Sequence, residues 1–263
     1  MAAHELIVSR IAIPGVPVFM YHGVCPGPTT DDRYTLPLPM FREHLSFLHS
    51  QKFRVENSPT PAGEASGRSA VLTFDDGLSS HYESVFPALL EHGLTAAFFV
   101  NTALTGSTGY LNWNQLREMS AAGMTIGSHG RDHIDYSKLE PAIAQRELQD
   151  SRQALEAALG VPVSGFAAPY GAMGNPLIKA ARRAGFDRIY SSNPWLASGG
   201  ATVVSRLAIY RDTDLHRFSA FATRSAFPLL ARRARNVLLY LPKQLVLRTC
   251  PERLRGTGHE EAE

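Results

Sequence analysis

Short apolar runs recur along this chain. Each is closed by a polar or small residue and followed by a segment of helical periodicity. Strand-like runs fall near Val16–Tyr21, Ala70–Phe74, Thr95–Val100, Met124–Ser128, Ser164–Ala168, Arg188–Ser191 and Val203–Tyr210. Most are apolar on both faces, the pattern of parallel strands covered by helices. The helices carry their own boundaries. Asn112, with Gln115 three residues on, caps a helix that stops near Gly123. Pro141 suits the first turn of a long helix ending at Gly160, and Asn175-Pro176 opens another closed by Gly185. Pro39–Gln51 puts Phe41, Leu45 and Leu48 on one helical face. His81–His92 is helical as well, with Pro87 as a candidate start.

Seven strands alternating with helices predict an α/β fold, a parallel (β/α) barrel in preference to a doubly wound open sheet. No GxGxxG follows the first strand, which weakens a dinucleotide-binding alternative. Val24–Thr35 and Asn57–Ser69, rich in Pro, Gly, Ser and Thr, read as loops. The expected division is a catalytic barrel over 1–216 and a basic, helical C-terminal extension over 217–263.

Composition adds little to this picture, and charge adds more. The 263 residues are 44% hydrophobic and 19% charged, an ordinary globular balance. Cys25 and Cys250 are too few and too far apart for a disulfide framework or a CxxC metal pair. The net charge is +2, yet Arg217 to Arg255 holds nine Lys/Arg against Glu252, or about +8. No apolar run is long enough to span a bilayer, and Met1 to Val18 lacks the basic start and long apolar core of a signal peptide. A cytoplasmic protein is therefore expected. Arg232, Arg233, Arg235, Lys243 and Arg248, interspersed with leucines, could hold it at an anionic membrane surface. They could equally bind an acidic glycan or be the solvated face of a helix packed on the barrel; no nucleic-acid partner is expected.

The chemistry concentrates at three predicted strand ends, where a parallel barrel carries its functional groups. Asp75-Asp76-Gly77 closes one strand, His129 and His133 follow a second, and Pro169-Tyr170-Gly171 follows a third. Two imidazoles four residues apart share a face if they lie on a helical turn, within reach of one ion. Two His and one Asp leave coordination positions for water and substrate, and a second Asp is left as a base. Each motif has a plainer reading: a solvated turn for the histidines, a cap or turn for the aspartates.

Thr73-Phe74-Asp75-Asp76-Gly77, His129-Gly130-Arg131-Asp132-His133 and Ala168-Pro169-Tyr170-Gly171 resemble the successive motifs of the polysaccharide deacetylase family. These are metal-dependent carbohydrate esterases related to the nodulation chitooligosaccharide deacetylase. The likeness covers about residues 16–212. Met20-Tyr21-His22-Gly23-Val24 resembles the opening of a branch linked to exopolysaccharide synthesis. The resemblance implies a distorted parallel (β/α)7 barrel. It implies Asp76, His129 and His133 as ligands of a divalent metal, usually zinc, Asp75 as general base, and the Tyr170 backbone N–H as oxyanion donor. Pro169 and Tyr170 would border the substrate, an N-acetylhexosamine unit of a glycan or lipid-linked precursor.

Two departures stand out. The family's third motif begins with an Arg where this chain has Ala167; Arg206, or else Arg211, is the candidate replacement for orienting the base. The late Leu-x-His motif that supplies a general acid is missing. His216, in Asp214-Leu215-His216, is out of pattern, and His22 is a candidate acid or substrate contact. Trp195 could stack on a sugar or anchor a loop. Three other readings remain open: an amidohydrolase acting on a small non-sugar amide or imide, a weakly active sugar-binding homologue, and a non-haem iron oxygenase.

Overall fold

The computed structural model describes residues 12–27, 32–60, 68–171 and 173–236. In chain order the elements are β1 (Val18–Tyr21), β2 (Val24–Cys25), β3 (Leu36–Pro37), α1 (Leu38–Ser50), β4 (Arg54–Glu56) and β5 (Ser69–Phe74). A π-helical turn, His81–Val85, runs into α2 (Phe86–Glu91). Then come β6 (Ala97–Val100), α3 (Trp113–Ala121), β7 (Thr125–Ser128), α4 (Pro141–Leu159), β8 (Gly165–Ala167) and α5 (Asn175–Arg183). β9 (Arg188–Tyr190), β10 (Val203–Val204), β11 (Leu207–Ala208) and α6 (Leu215–Ala222) follow, with a further helix over 226–236.

One all-parallel sheet runs β10-β9-β8-β7-β6-β5-β1-β11, with β4 also paired to β5. Its two ends are consecutive in the chain, separated only by Ser205 and Arg206. The sheet therefore curls back on itself as a distorted parallel barrel with helices outside. Strand alternation separates two apolar layers. Phe19, Leu72, Phe98, Phe166 and Ile189 face the helices, while Val18, Val71, Phe99, Ala167, Tyr190 and Val204 pack inside. Both faces are buried, which is why the strands read as unbroken apolar runs.

Several expectations need adjusting. The predicted strand Val203–Tyr210 is two strands, one on each edge of the sheet. β4 lies between a predicted helix and a predicted loop, and the predicted loop after Gly23 begins as β2, which pairs with β3. The helix expected over His81–His92 starts as a π-turn and becomes regular only around Pro87. Asn112 and Gln115 form the complete capping box, and Gly160 ends α4 in the left-handed region at φ 70°. α6 buries Phe218 against Phe19 of β1 and Phe47 of α1. Within the basic segment, Arg232 donates to the Ala208 carbonyl and Arg233 lies over the Trp195 ring. Lys243, Arg248 and the apolar runs Val237–Leu241 and Leu245–Leu247 lie outside the described residues. No described helix is long and apolar enough to cross a membrane.

Candidate active site

β5 delivers the two carboxylates. Val71 and Thr73 belong to the inward parity of this strand, and Asp75 continues it into the barrel. The backbone then turns left-handed at Asp76 (φ 76°) and Gly77 (φ 68°), which sends Asp76 a different way. A side chain at Gly77 would also meet Val100 at 3.0 Å, so glycine is required twice over.

Asp76 Oδ1 lies 3.3 Å from Nε2 of His129 and 3.3 Å from Nε2 of His133. The two rings sit 5.2 Å apart, although the segment joining them is not a helical turn. The expectation of a shared helical face is thus corrected. A loop turning at Gly130 (φ 87°) brings the histidines together, with His133 itself at φ 20°. Asp76, His133 and Tyr170 are three of the five non-glycine residues with positive φ among the described residues, so backbone strain gathers at this mouth.

Neighbours set the orientation of these side chains. His129 Nδ1 donates to the Ala167 carbonyl at 2.8 Å, which leaves the Nε2 lone pair facing Asp76. Asn101, buried at the end of β6, donates to the His129 carbonyl at 2.7 Å. The Glu147 carboxylate on α4 accepts from the Asp132 N–H and fixes the loop leading to His133. Burial works to raise the Asp76 pKa. Hydrogen bonds from the His129 and His133 rings in their protonated form outweigh it and hold the carboxyl well below the usual range.

Asp75 is 3% exposed and Arg206 is fully buried. Nη1 and Nη2 of Arg206 donate to the two carboxylate oxygens at 2.6 and 2.8 Å, while Nε donates to the Ser191 carbonyl and Nη1 also reaches Thr73 Oγ1. Burial works to raise the Asp75 pKa, but the guanidinium, with His129 behind it, draws it below the ordinary value. Arg206 also lies over the rings of Phe99 and Tyr190, in the interior layer that contains Ala167.

His22 is near enough for the charges of Asp75 and Asp76 to act on it, yet burial dominates and lowers its pKa. Its Nδ1 is buried with no hydrogen-bond partner among the described residues. His81 Nε2 donates to the His22 carbonyl and anchors this turn. Pro169 is buried, and Tyr170 projects outward with its ring 4.8 Å from His133. Trp195 packs on the outer core layer, its ring 4.5 Å from the Arg233 guanidinium. His216 and Arg211 line a neighbouring cavity rather than the Asp76 cluster.

The sequence reading missed Asn101, Glu147 and the Ala167 carbonyl. Asn101 ends an apolar strand at the barrel mouth, and Glu147 interrupts the buried stripe of α4 between Ala144 and Leu148. Both positions were visible as polar intrusions in apolar patterns. The Ala167 carbonyl carries no side-chain signal.

The donor set fits a divalent cation. The ligand atoms of Asp76, His129 and His133 lie within 4.8 Å of one another, with nitrogen and oxygen donors of the kind zinc accepts.

Barrel and cluster together define a (β/α) protein with a candidate mononuclear metal centre at its strand ends. The chain belongs to the polysaccharide deacetylase family, whose sequence profile matches residues 62–189. The chitooligosaccharide deacetylase of Bradyrhizobium sp. (strain ANU 289) is 30% identical over 149 residues, covering 54% of this chain and 66% of that protein. The chain thus spans about two thirds of the length of the curated relatives it matches. Among solved structures, IcaB from Ammonifex degensii is 25% identical with a TM-score of 0.70, covering 80% of this chain and 97% of its own. The Streptococcus pyogenes deacetylase PplD, solved with acetate, shares the fold at a TM-score of 0.72 and 21% identity, covering 81% of this chain and 99% of its own.

Proposed function

We propose that this chain is a metal-dependent hydrolase that removes N-acetyl groups from N-acetylhexosamine units of a glycan or a lipid-linked glycan precursor. One observation carries the reading. A buried carboxylate, Asp75, clamped by Arg206, adjoins the Asp76–His129–His133 cluster, so a proton acceptor and a metal-binding set share one mouth.

Asp76, His129 and His133 would hold the cation, with zinc the best fit to the donors. Bound there, it would supply Lewis acidity, lowering the pKa of water and polarising the amide carbonyl. Asp75 is held ionised and accepts the proton of the attacking water. The backbone N–H of Tyr170 donates to the carbonyl oxygen as charge develops on it. The leaving nitrogen must gain a proton. His22 is held neutral, which suits a substrate contact, and Asp75 can return the proton it took. Arg206 is a positioning residue that fixes both oxygens of Asp75. The likeness of Met20–Val24 to the exopolysaccharide branch favours a surface glycan as the acceptor.

Metal analysis of the purified chain, coupled to acetate release from a panel of N-acetylated oligosaccharides, tests this. Asp75→Asn should keep the metal and lose acetate release by at least about a hundredfold. Equal traces from wild type and variant would favour a sugar-binding protein instead.

A further inference from the structure

Beside the metal cluster lies a second cavity, of about 1180 Å³, bordered by the β11 exit, α6 and the helix over 226–236. It adjoins the candidate active site on two sides. Ser192, on its wall, is what a side chain at Gly171 would strike at 2.8 Å, and Gly171 follows Tyr170. Tyr210, on another wall, packs edge-on against Tyr34 at 5.4 Å, and Tyr34 meets the His22 ring at 4.9 Å.

The walls are strongly basic. Arg33, Arg211, Arg217, Arg232 and Arg235 face the space with a single acid, Asp212. Asp212 accepts from Arg217 at 3.2 Å, so that pair is locally neutral. Among the described residues no carboxylate lies within 4.0 Å of the guanidinium of Arg33, Arg232 or Arg235, although the Asp212 charge acts on Arg232. Two of these guanidinium groups are held in place. Arg33 lies 3.9 Å and Arg232 5.4 Å from the Tyr210 ring centre, and Arg232 also donates to the Ala208 carbonyl. Fixed forks lose less entropy on binding than free side chains do.

We infer that this cavity receives a phosphate or diphosphate carried by the sugar whose N-acetyl group meets the metal cluster, making the substrate a phosphorylated N-acetylhexosamine. The inference rests on the deacetylase reading and narrows its substrate. Charge count and geometry select phosphate. A single carboxylate saturates one guanidinium fork, whereas a diphosphate presents enough oxygens for several. The carrier beyond the phosphate could be a nucleoside or a lipid.

The first experiment is titration of inorganic pyrophosphate into the full chain stripped of metal by a chelator, so that pyrophosphate cannot ligate the ion. Saturable binding that weakens with salt is expected, falling at least about tenfold in Arg33→Gln and in Arg235→Gln while both keep the wild-type melting temperature. Should Arg33→Gln unfold, Arg235→Gln decides alone. No saturable binding at millimolar pyrophosphate, or equal binding by wild type and variants, overturns the proposal. The second experiment uses the metal-loaded chain. Acetate release is compared between neutral chitotetraose and N-acetylglucosamine diphosphate bearing either uridine or a short polyprenyl chain. A higher kcat/KM for either phosphorylated sugar supports the assignment, and the better one names the carrier. Preference for chitotetraose overturns it. If pyrophosphate binds but none of the three is deacetylated, the deacetylase reading fails and the phosphate site stands.

Discussion

Arg206 reaches Asp75 from the break between β10 and β11, donating to both carboxylate oxygens at 2.6 and 2.8 Å inside the barrel. A buried pair of this kind costs more to break than it contributes when whole. Arg206→Gln is therefore expected to lose about 3–5 kcal/mol of stability and, in whatever folds, at least about tenfold in kcat for acetate release. Urea denaturation and single-substrate kinetics check both. Arg206→Lys should not rescue kcat, because an ammonium cannot clamp two oxygens. Full activity in Arg206→Lys would refute the positioning role.

Zinc content tests the ligand set directly. Asp76→Ala, His129→Ala and His133→Ala should each purify without stoichiometric metal, whereas Asp75→Asn should retain it. Chelation of the wild type should lower its melting temperature, since metal at a hundred times its Kd adds about 2.7 kcal/mol. Stoichiometric zinc in all three ligand variants would remove the metal centre from this site.

Gly77 and Gly93 form an internal control for backbone strain. Both have positive φ, but a side chain at Gly77 meets Val100 at 3.0 Å and one at Gly93 meets nothing within 4 Å. Gly93→Ala should cost about 1 kcal/mol from conformation alone. Gly77→Ala should cost about 2–3 kcal/mol and weaken metal binding as well, because the same turn aims Asp76. Equal costs for both would mean that the Val100 contact is relieved freely.

Acid stability has a defined sign. Burial lowers His44 and His81 each to about 4, against 6.5 for an unperturbed imidazole. As pH falls, the unfolded chain takes up these protons first. Their contribution to stability is thus complete above 6.5, declines between 6.5 and 4, and falls no further below 4. The limit is about 3 kcal/mol per histidine. Urea midpoints measured at about pH 7.5 and 4.5 should drop on the acid side, and His44→Gln should reduce the drop. A flat profile would show that these rings ionise in the folded state.

The strand ends that carry the candidate site were legible because they depend on order along the chain. Asp75 and Asp76 close one apolar run, and His129 and His133 follow another. Parallel strands with both faces buried must be apolar throughout, so each run marks itself, and a polar cluster at its end is conspicuous. Caps were legible for the same local reason: Asn112 and Gln115 satisfy N–H groups of their own helix. Local patterns failed where pairing was decided at a distance. β4 is three residues with no apolar periodicity, and it exists because β5 offers it a partner. Val203–Tyr210 reads as one strand, yet its halves pair with β9 and β1 at opposite edges of the sheet.

By itself the sequence determined the alternation of strands and helices, the family motifs, and which residue types stand at the strand ends. These follow from hydrophobic period and from side-chain chemistry, which are properties of neighbours in the chain. Only the tertiary structure decided that Ala167 orients His129 through its carbonyl and that a guanidinium from residue 206 enters the barrel to clamp Asp75. It also decided that five arginines surround a cavity beside the mouth. The curl of the sheet sets these groups, more than a hundred positions apart in the case of Asp75 and Arg206, within hydrogen-bonding distance. No local pattern encodes that distance, because it is fixed by the curvature of the whole sheet.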